Sequence, residues 1–219
     1  MTIQISRKIA YLTFDDGPSV NTGEILDILK KYDIKATFFV VGRSDDNSKN
    51  LYKRIVKEGH AIGNHTYSHE YKTLYSSEKD FLSDFKKLEH HVYDITGIKM
   101  DIMRFPGGSN TIIPNKYSDD KFMVRMIAKM LYDGYQYFDW NVDSRDAKAA
   151  KQNKNIIVSS VLKGVENNNP AIILFHDSLP KTTTVEALPI IIEKLLEEGY
   201  VFKVLHKNSF HVHFKKPEG

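Results

Sequence analysis

The sequence predicts an α/β fold, in which a parallel sheet carries helices on its outside. Strand-like and helix-like segments alternate along the 219 residues, and no Pro- or Gly-rich linker divides them into blocks. The hydrophobic fraction of 41% and the charged fraction of 27% are ordinary for a chain that buries a sizeable core. We therefore expect a single domain over residues 1–219, with its sheet either open or closed into a barrel.

The predicted strands are short runs of apolar, β-branched and aromatic residues bounded by turn-forming or charged residues. In chain order they cover residues 9–14, 36–41, 61–63, 101–103, 136–140, 171–175 and 200–205. The sixth run, AIILF, has no polar residue, and we expect it to be buried.

The first three predicted helices show apolar residues at helical spacing. Asn21 or Thr22 can cap the first helix, and the second covers residues 51–57 and stops at Gly59. The third is long, and Ser77 is its start signal. Its apolar face consists of Phe81, Phe85, Leu88 and Val92.

The remaining helices follow a polar stretch that ends at Asp120 and predicts a surface loop. The fourth and fifth helices cover residues 123–132 and 156–165. Thr183 and Glu186 form a capping box for the sixth, which runs through Leu196.

Composition excludes several classes of protein. The net charge of +3 is mild and the lysines are scattered, so we expect no nucleic-acid partner, and nothing implies a stable protein partner. Without cysteine, a metal site must use His, Asp or Glu. No segment has the apolar length of a membrane-spanning helix, and residues 1–8 lack the apolar core of a signal peptide. The chain is therefore either cytosolic or an exported protein whose leader has been removed.

Polar clusters follow the predicted strands, at the end where parallel α/β sheets carry their chemistry. Asp15 and Asp16 directly follow the first strand, and Gly17-Pro18 forces a turn after them. Adjacent carboxylates point in different directions, so one can bind a cation while the other accepts a proton. Taken alone, an ordinary turn explains this motif equally well.

His65 and His69 are spaced so that a helical turn would place both imidazoles on one face. With Asp16 as a third ligand they predict a divalent-metal site that keeps coordination positions open, as catalytic zinc requires. Two solvated histidines are the alternative for an isolated pair. Because Thr66 follows the first histidine, the pattern is not the His-Glu-x-x-His of metalloproteases, and Asp15 is the candidate base.

Three further strand ends carry candidate residues. Arg104 can fix Asp15 and keep it ionised, and the amides of Gly107 and Gly108 can approach a substrate closely. His176 is a candidate general acid or base. The charged segment at 143–146 can supply a carboxylate that raises the pKa of His176. Structural roles explain each cluster singly, but five clusters in order on strand ends favour one functional site.

In order, the clusters are TFDDGP at 13–18, HTYSH at 65–69, RFP at 104–106, DSRD at 143–146 and LFH at 174–176. Together they resemble the five motifs of the polysaccharide deacetylase family, also called the NodB homology domain or carbohydrate esterase family 4. The resemblance extends from the first strand to the last. It implies a distorted, incomplete (β/α) barrel with about seven parallel strands.

The resemblance also implies the chemistry. Asp15 would be the general base and His176 the general acid. Asp16, His65 and His69 would bind one divalent metal ion, with zinc as the first choice and cobalt, nickel or manganese also suited to these ligands. The reaction would be the metal-dependent removal of N-acetyl groups from a polysaccharide.

The supporting residues follow from the same motifs. Arg104 would orient Asp15, Asp146 would tune His176, the Gly107 amide would hold the oxyanion, and Leu174 would line the acetyl pocket. Two positions depart from the family pattern. Gly107 stands where the family often has an aromatic residue, and Ala147 stands where it often has tryptophan. The change at Gly107 removes one wall of the substrate groove, and Trp140 is the candidate to compensate for the tryptophan missing at Ala147.

Peptidoglycan N-acetylglucosamine is the favoured polymer by family habit, followed by chitin-type oligomers, and the family resemblance implies an extracellular or cell-envelope location. The rival functions are O-deacetylation of acetylated xylan, binding of metal and carbohydrate without catalysis, and hydrolysis of small cyclic imides or ureas. The other histidines are expected to be structural or solvated. They are His60, His90, His91, His206, His211 and His213.

Overall fold

Eight strands form one parallel sheet in the computed structural model, which describes residues 7–216. The strands are β1 (Lys8–Asp15), β2 (Thr37–Val40), β3 (Ala61–Asn64), β4 (Ile102–Met103), β5 (Gln136–Tyr137), β6 (Val142–Asp143), β7 (Ala171–His176) and β8 (Tyr200–Phe202). Residues 1–8 are expected to lack the apolar core of a signal peptide. Residues 1–6 of this segment lie outside the described range.

The strands follow the order β5-β4-β3-β2-β1-β7-β6, and β8 pairs with the first half of β1. Every pairing is parallel. No pairing within residues 7–216 joins the end strands β5 and β6, so the barrel is incomplete. The predicted distorted, incomplete (β/α) barrel is thereby confirmed, with seven parallel strands in one path and β8 beside β1.

Seven helices and two 3₁₀ turns connect the strands of the described region. The helices are α1 (Val20–Lys31), α2 (Asp46–Lys57), α3 (Tyr71–Leu74), α4 (Glu78–Thr96), α5 (Phe122–Tyr132), α6 (Lys154–Glu166) and α7 (Thr182–Glu197). The 3₁₀ turns cover Ile113–Lys116 and Asp146–Lys148. Within residues 7–216, none of the helices combines the length and hydropathy needed to cross a bilayer.

Alternation along the central strands separates the core from the barrel interior. On β1, Leu12 and Phe14 belong to the main core beneath the helices, where Phe14 stacks between Phe38 and Phe175 at 5.2 and 5.4 Å. The intervening residue Thr13 bonds across the sheet to the carbonyl of Ile173 at 2.7 Å. Because side chains alternate, the last residue of β1 points into the barrel interior, and this places the carboxylate of the first motif.

Two predicted helix starts are wrong. Ser19, not Asn21 or Thr22, caps α1: its hydroxyl accepts the Asn21 amide at 3.1 Å, while the Thr22 hydroxyl accepts the Ser19 amide at 2.8 Å. Thr22 therefore completes a capping box instead of starting the helix. The N-cap residue of helix α7 is Lys181, and its side chain makes no capping hydrogen bond. The capping box predicted at Thr183 is therefore absent.

The predicted strand at 136–140 is shorter than expected and ends at Tyr137. Its continuation is irregular because Arg104 takes the carbonyl oxygens of Phe138 and Asp139, at 2.9 and 3.3 Å. The last strand likewise ends at Phe202 instead of residue 205. The start signal at Ser77 is confirmed, since its hydroxyl accepts the Asp80 amide at 3.1 Å.

Candidate active site

The predicted site residues converge at the carboxyl ends of the strands, around a cavity of about 500 Å³. The predicted residues that line it are Asp15, Asp16, His65, His69, Gly107, Trp140, Leu174 and His176. Arg104 and Asp146 lie behind this lining, where each contacts a side chain of the cavity. One site therefore collects residues from six different stretches of the chain.

Arg104 lies on the side of Asp15 that faces away from the cavity, and it fixes the carboxylate. The guanidinium is fully buried and donates from Nη1 to Asp15 Oδ1 and to the Thr13 hydroxyl, both at 2.8 Å. It also stacks on the ring of Phe39 at 4.4 Å. Together with its bonds to two backbone carbonyls, these contacts leave the guanidinium little freedom to move, so the carboxylate is held in one orientation.

The pKa of Asp15 reflects burial as well as the charge of Arg104. Burial raises the pKa of the Asp15 carboxyl, and the positive charge of Arg104 opposes this shift without cancelling it. Arg104 thus orients Asp15 as predicted but does not by itself hold its pKa at the ordinary value. A divalent cation beside Asp16 would act on Asp15 in the same direction as Arg104.

His65 and His69 do not lie on a helical turn, which corrects the sequence prediction. They belong to the loop after β3, where Thr66 and His69 adopt left-handed backbone conformations with φ of 70° and 54°. Asp16 is also left-handed, with φ of 77°. The three ligand candidates nevertheless meet: Asp16 Oδ1 lies 3.6 Å from His65 Nε2 and 3.3 Å from His69 Nε2.

This cluster fits a divalent metal ion. One ligand atom from each of the three residues lies within 4.8 Å of the others, and Asp16 Oδ1 is buried without a hydrogen-bond partner in the described region. The Arg104 carbonyl bonds His65 Nδ1 at 2.7 Å, so Nε2 carries the lone pair that faces Asp16. Burial, with His69 nearby, lowers the pKa of His65 to about 3, so the imidazole is neutral as a ligand must be.

The histidine loop is held by residues that the sequence analysis did not identify. Asp84 on α4 accepts the amides of Tyr67 and Ser68 at 2.5 and 3.0 Å. Asn64 accepts the Thr66 amide at 2.8 Å and donates to the Phe85 carbonyl at 3.0 Å. Asp84 resembles an ordinary solvated helix residue in the sequence, and only its position opposite the loop discloses this function.

His176 is fixed by Asp146 at the opposite wall. Asp146 Oδ1 bonds His176 Nδ1 and its Oδ2 accepts the His176 amide, both at 2.7 Å. The Thr184 hydroxyl donates to Oδ2 at 2.9 Å, and Lys181 donates to the Asp146 carbonyl at 2.9 Å. These bonds orient the carboxylate completely, and His176 Nε2 is left to face the cavity.

The groups around His176 favour its protonated, imidazolium form. Burial alone would lower its pKa, but the hydrogen bond and charge of Asp146, with smaller contributions from Asp15 and Asp16, raise the pKa of His176 to about 9. For Asp146, burial is likewise the largest influence and raises the pKa. The hydrogen bonds from His176 and Thr184 outweigh burial, so the pKa of Asp146 is lowered.

Gly107 occupies the third position of a turn that begins at Phe105. The Gly108 amide donates to the Phe105 carbonyl at 2.8 Å, and Gly107 has a φ of 81°, which only glycine adopts readily at that position. Both glycine amides are expected from the sequence to be free, but this bond shows that the Gly108 amide is used by the turn. Within residues 7–216 the Gly107 amide has no such partner.

Asp139 anchors this turn and the wall beside it. Its buried carboxylate accepts the Ser109 amide and the Phe214 amide, both at 2.8 Å. Trp140, the next residue, packs edge-on against Phe214 at 4.9 Å between ring centres. Tyr71 lines another part of the same cavity, with its ring 5.3 Å from His69. Neither Asp139 nor Tyr71 belongs to a motif that the sequence predicts.

Three of the remaining histidines make contacts that are typical of a structural role. His60 is buried, its Nδ1 accepts the Ala36 amide at 3.1 Å, and burial lowers its pKa to about 4. His91 Nε2 bonds the Arg43 carbonyl at 2.7 Å. His213 stacks on Tyr137 with ring centres 3.7 Å apart. These contacts agree with the structural roles that we expected.

Comparison with known proteins identifies the family. The polysaccharide deacetylase family model matches residues 3–121, and the chain belongs to this family. YheN of Bacillus subtilis strain 168 is named as a polysaccharide deacetylase. It is 40% identical to this chain over 212 residues, which cover 94% of this chain and 70% of YheN. A peptidoglycan-N-acetylglucosamine deacetylase of Bacillus cereus is 33% identical over 95% of this chain and 73% of its own length.

A solved structure is similar over almost the whole chain. The catalytic domain of a peptidoglycan N-acetylglucosamine deacetylase from Eubacterium rectale has a TM-score of 0.91 and 35% sequence identity, and the match covers 98% of this chain and 96% of that domain. The chain is therefore a polysaccharide deacetylase of carbohydrate esterase family 4, in fold and in class of activity.

Proposed function

We propose that this chain removes N-acetyl groups from peptidoglycan N-acetylglucosamine and that the reaction requires one divalent cation. The observation that carries the proposal is the meeting of Asp16, His65 and His69, within 4.8 Å, beside the Arg104–Asp15 pair. The two relatives named as peptidoglycan deacetylases support the choice of polymer. A wall polymer as substrate would place the activity at the cell envelope or outside the cell.

Asp16, His65 and His69 would hold the cation. The chemistry that such an ion supplies is polarisation of the acetamide carbonyl and a lowered pKa of water, toward about 7 for zinc. Two imidazoles and one carboxylate suit zinc first, and they also suit cobalt, nickel or manganese.

Asp15 would act as the general base. Its Oδ1 is bound to Arg104, while its Oδ2 lies 3.8 Å from His65 Nε2 and so faces the ligand cluster. A water bound next to Oδ2 can pass its proton to this oxygen as it attacks the acetamide carbon. The Gly107 amide would hold the oxyanion, a contribution of about 2.7–4 kcal/mol for a well-placed donor.

His176 would act as the general acid. An amine leaves poorly unless it is protonated, and the pKa of about 9 keeps the His176 imidazolium protonated at neutral pH. Since Asp146 occupies Nδ1, the proton would be delivered from Nε2. Leu174 would line the acetyl pocket, and Trp140 would form a wall for the sugar ring.

The test is acetate release from peptidoglycan and from N-acetylglucosamine oligomers, with acetylated xylan as the ester alternative. We expect zinc-loaded protein to release acetate from the amide substrates and a chelator to abolish the release. Faster release from acetylated xylan than from either amide substrate would contradict the proposed substrate. Binding of oligomers without any acetate release would favour a carbohydrate-binding module instead.

The role of Asp15 is tested separately with Asp15→Asn. Loss of the base should lower kcat by about 10²–10⁴-fold, the usual contribution of general base catalysis. The metal content should stay at one ion per chain, because all three ligand residues are retained. Full activity in the metal-loaded variant would show that another group accepts the proton.

A further inference from the structure

The catalytic cavity shares residues with two neighbouring cavities. The catalytic cavity shares Asp16 with a cavity of about 440 Å³ beside α1. It shares Asp143 and Arg145 with a cavity of about 620 Å³ between β6 and α6. A linear polymer that crosses the catalytic cavity can therefore place neighbouring units on both flanks.

The two flanks differ in charge. Arg145 stands at the junction toward α6, Lys148 lines the catalytic cavity and Lys163 lines the cavity beyond. Within residues 7–216, none of these three cations has a carboxylate within 4.0 Å. The cavity beside α1 is lined by one cation, Arg43, with Asp16 and Asp45, whereas the cavity toward α6 is lined by two cations, Arg145 and Lys163, with Asp143. The lining on the α6 side is therefore the more positive of the two flanks.

Arg145 is held in an unusual backbone conformation. Its φ is 61°, in the left-handed region where glycine or asparagine is the ordinary choice. Asp143 Oδ1 accepts the Arg145 amide at 2.7 Å, and the Arg145 carbonyl accepts the Lys148 amide at 3.2 Å and the Gln152 side chain at 3.3 Å. Strain of this kind is found preferentially at functional sites, where the surroundings impose it.

We propose that Arg145, assisted by Lys148, binds a carboxylate of the polysaccharide next to the sugar that loses its acetyl group. The inference rests on the proposed function, since it takes the catalytic cavity as the acetamide site. The guanidinium presents a planar pair of donors that matches a carboxylate, and the fixed backbone limits the freedom lost on binding. The enzyme therefore prefers anionic N-acetylated polymers to neutral ones.

The test compares two oligosaccharides of equal length, an N-acetylglucosamine oligomer and a peptidoglycan glycan in which alternate sugars carry a carboxylate. The measured quantity is the ratio of kcat/KM for the anionic to the neutral substrate, followed as acetate release. We expect Arg145→Gln to lower this ratio about 10-fold, which corresponds to about 1.4 kcal/mol, mainly through KM. Arg145→Lys should retain part of the preference because it keeps the charge but not the planar donors.

Arg43→Gln is the matched control, because it removes an arginine from the opposite flank. The ratio should stay at the wild-type value in this variant. An unchanged ratio in Arg145→Gln, or an equal fall in both variants, would overturn the assignment of Arg145.

A binding measurement separates this inference from the proposed function. Titration calorimetry with each oligosaccharide, in the presence of a chelator, reports recognition without catalysis. Preferential binding of the anionic glycan that weakens in Arg145→Gln and at higher ionic strength supports the inference whether or not acetate is released. Equal affinity of the wild-type protein for both glycans would refute it, while acetate release from zinc-loaded protein tests the catalytic proposal independently.

Discussion

Asp15 and Asp146 are both buried carboxylates, and their partners shift their pKa values in opposite directions. Burial raises the pKa of Asp15 despite Arg104, whereas hydrogen bonds to His176 and Thr184 outweigh burial and lower the pKa of Asp146. The same bond to Asp146 raises the pKa of His176. Because their surroundings shift the pKa values of these groups in different directions, one cavity can hold an acid and a base at the same pH.

At the scale of residues, we predict that Asp146→Asn moves the alkaline limb of the pH profile. The pKa of His176 is raised above its ordinary value of 6.5 to about 9, so the wild-type acid is protonated at neutral pH and activity falls as the pH rises through about 9. Without the Asp146 charge, burial lowers the pKa, and the limb should move down by at least about one pH unit.

The measurement is kcat against pH on one N-acetylated oligosaccharide, with metal content checked at each pH. Asp120→Asn is the control, because Asp120 is exposed and does not line the catalytic cavity. An alkaline limb at the same pH in wild type and Asp146→Asn would show that another group limits the reaction.

At the scale of elements, helix α4 positions a loop that lies outside it. Asp84 receives two amides of the histidine loop, and the amine of Lys87 on the same helix lies 3.9 Å from the centre of the Tyr67 ring. The loop contains left-handed residues at Thr66 and His69, which need support from their surroundings. The ligand geometry therefore depends on helix packing as well as on the ligands.

We predict that Asp84→Ala weakens metal binding by about 10-fold or more, which is the usual effect of removing a group that orients metal ligands. Competition between the protein and a chromophoric chelator measures the affinity. Asp94→Ala, an exposed substitution on the same helix, is the control and should leave the affinity unchanged. Equal affinities in the two variants would mean that the loop holds its conformation without α4.

At the scale of the whole molecule, the site joins segments that are distant along the chain. Asp16 follows β1, the histidines follow β3, and Arg104 follows β4 while bonding both β1 and the residues after β5. Because a cation held by Asp16, His65 and His69 binds only the folded arrangement, it should stabilise the fold.

We predict that zinc raises the Tm by roughly 5–10 °C at a free concentration about 100 times the Kd, from about 2.7 kcal/mol of linkage. His69→Gln should remove most of this shift, and His90→Gln, at an exposed histidine, should retain it. Differential scanning calorimetry with zinc and with chelator gives the comparison. A shift of equal size in His69→Gln would place the ion elsewhere.

Particular residues show how much of this could be predicted from sequence. The alternation of apolar runs predicted the parallel sheet, and position at a strand end predicted that Asp15, Arg104 and His176 would meet. Predictions from a few neighbouring residues failed where a side chain from a distant segment binds the backbone atoms that a strand would use. The strand predicted through Trp140 stops early because Arg104 takes the carbonyls that would continue it.

Local patterns along the chain predict the order of the elements, the family and the chemical types gathered at the site, because each depends on residues close together in the chain. Contacts in the folded molecule decide that the candidate histidine ligands lie in a loop with left-handed residues, that Asp84 and Asp139 support the site, and that Arg145 faces a second cavity. These features arise from contacts between segments far apart in sequence, and no local pattern encodes such contacts.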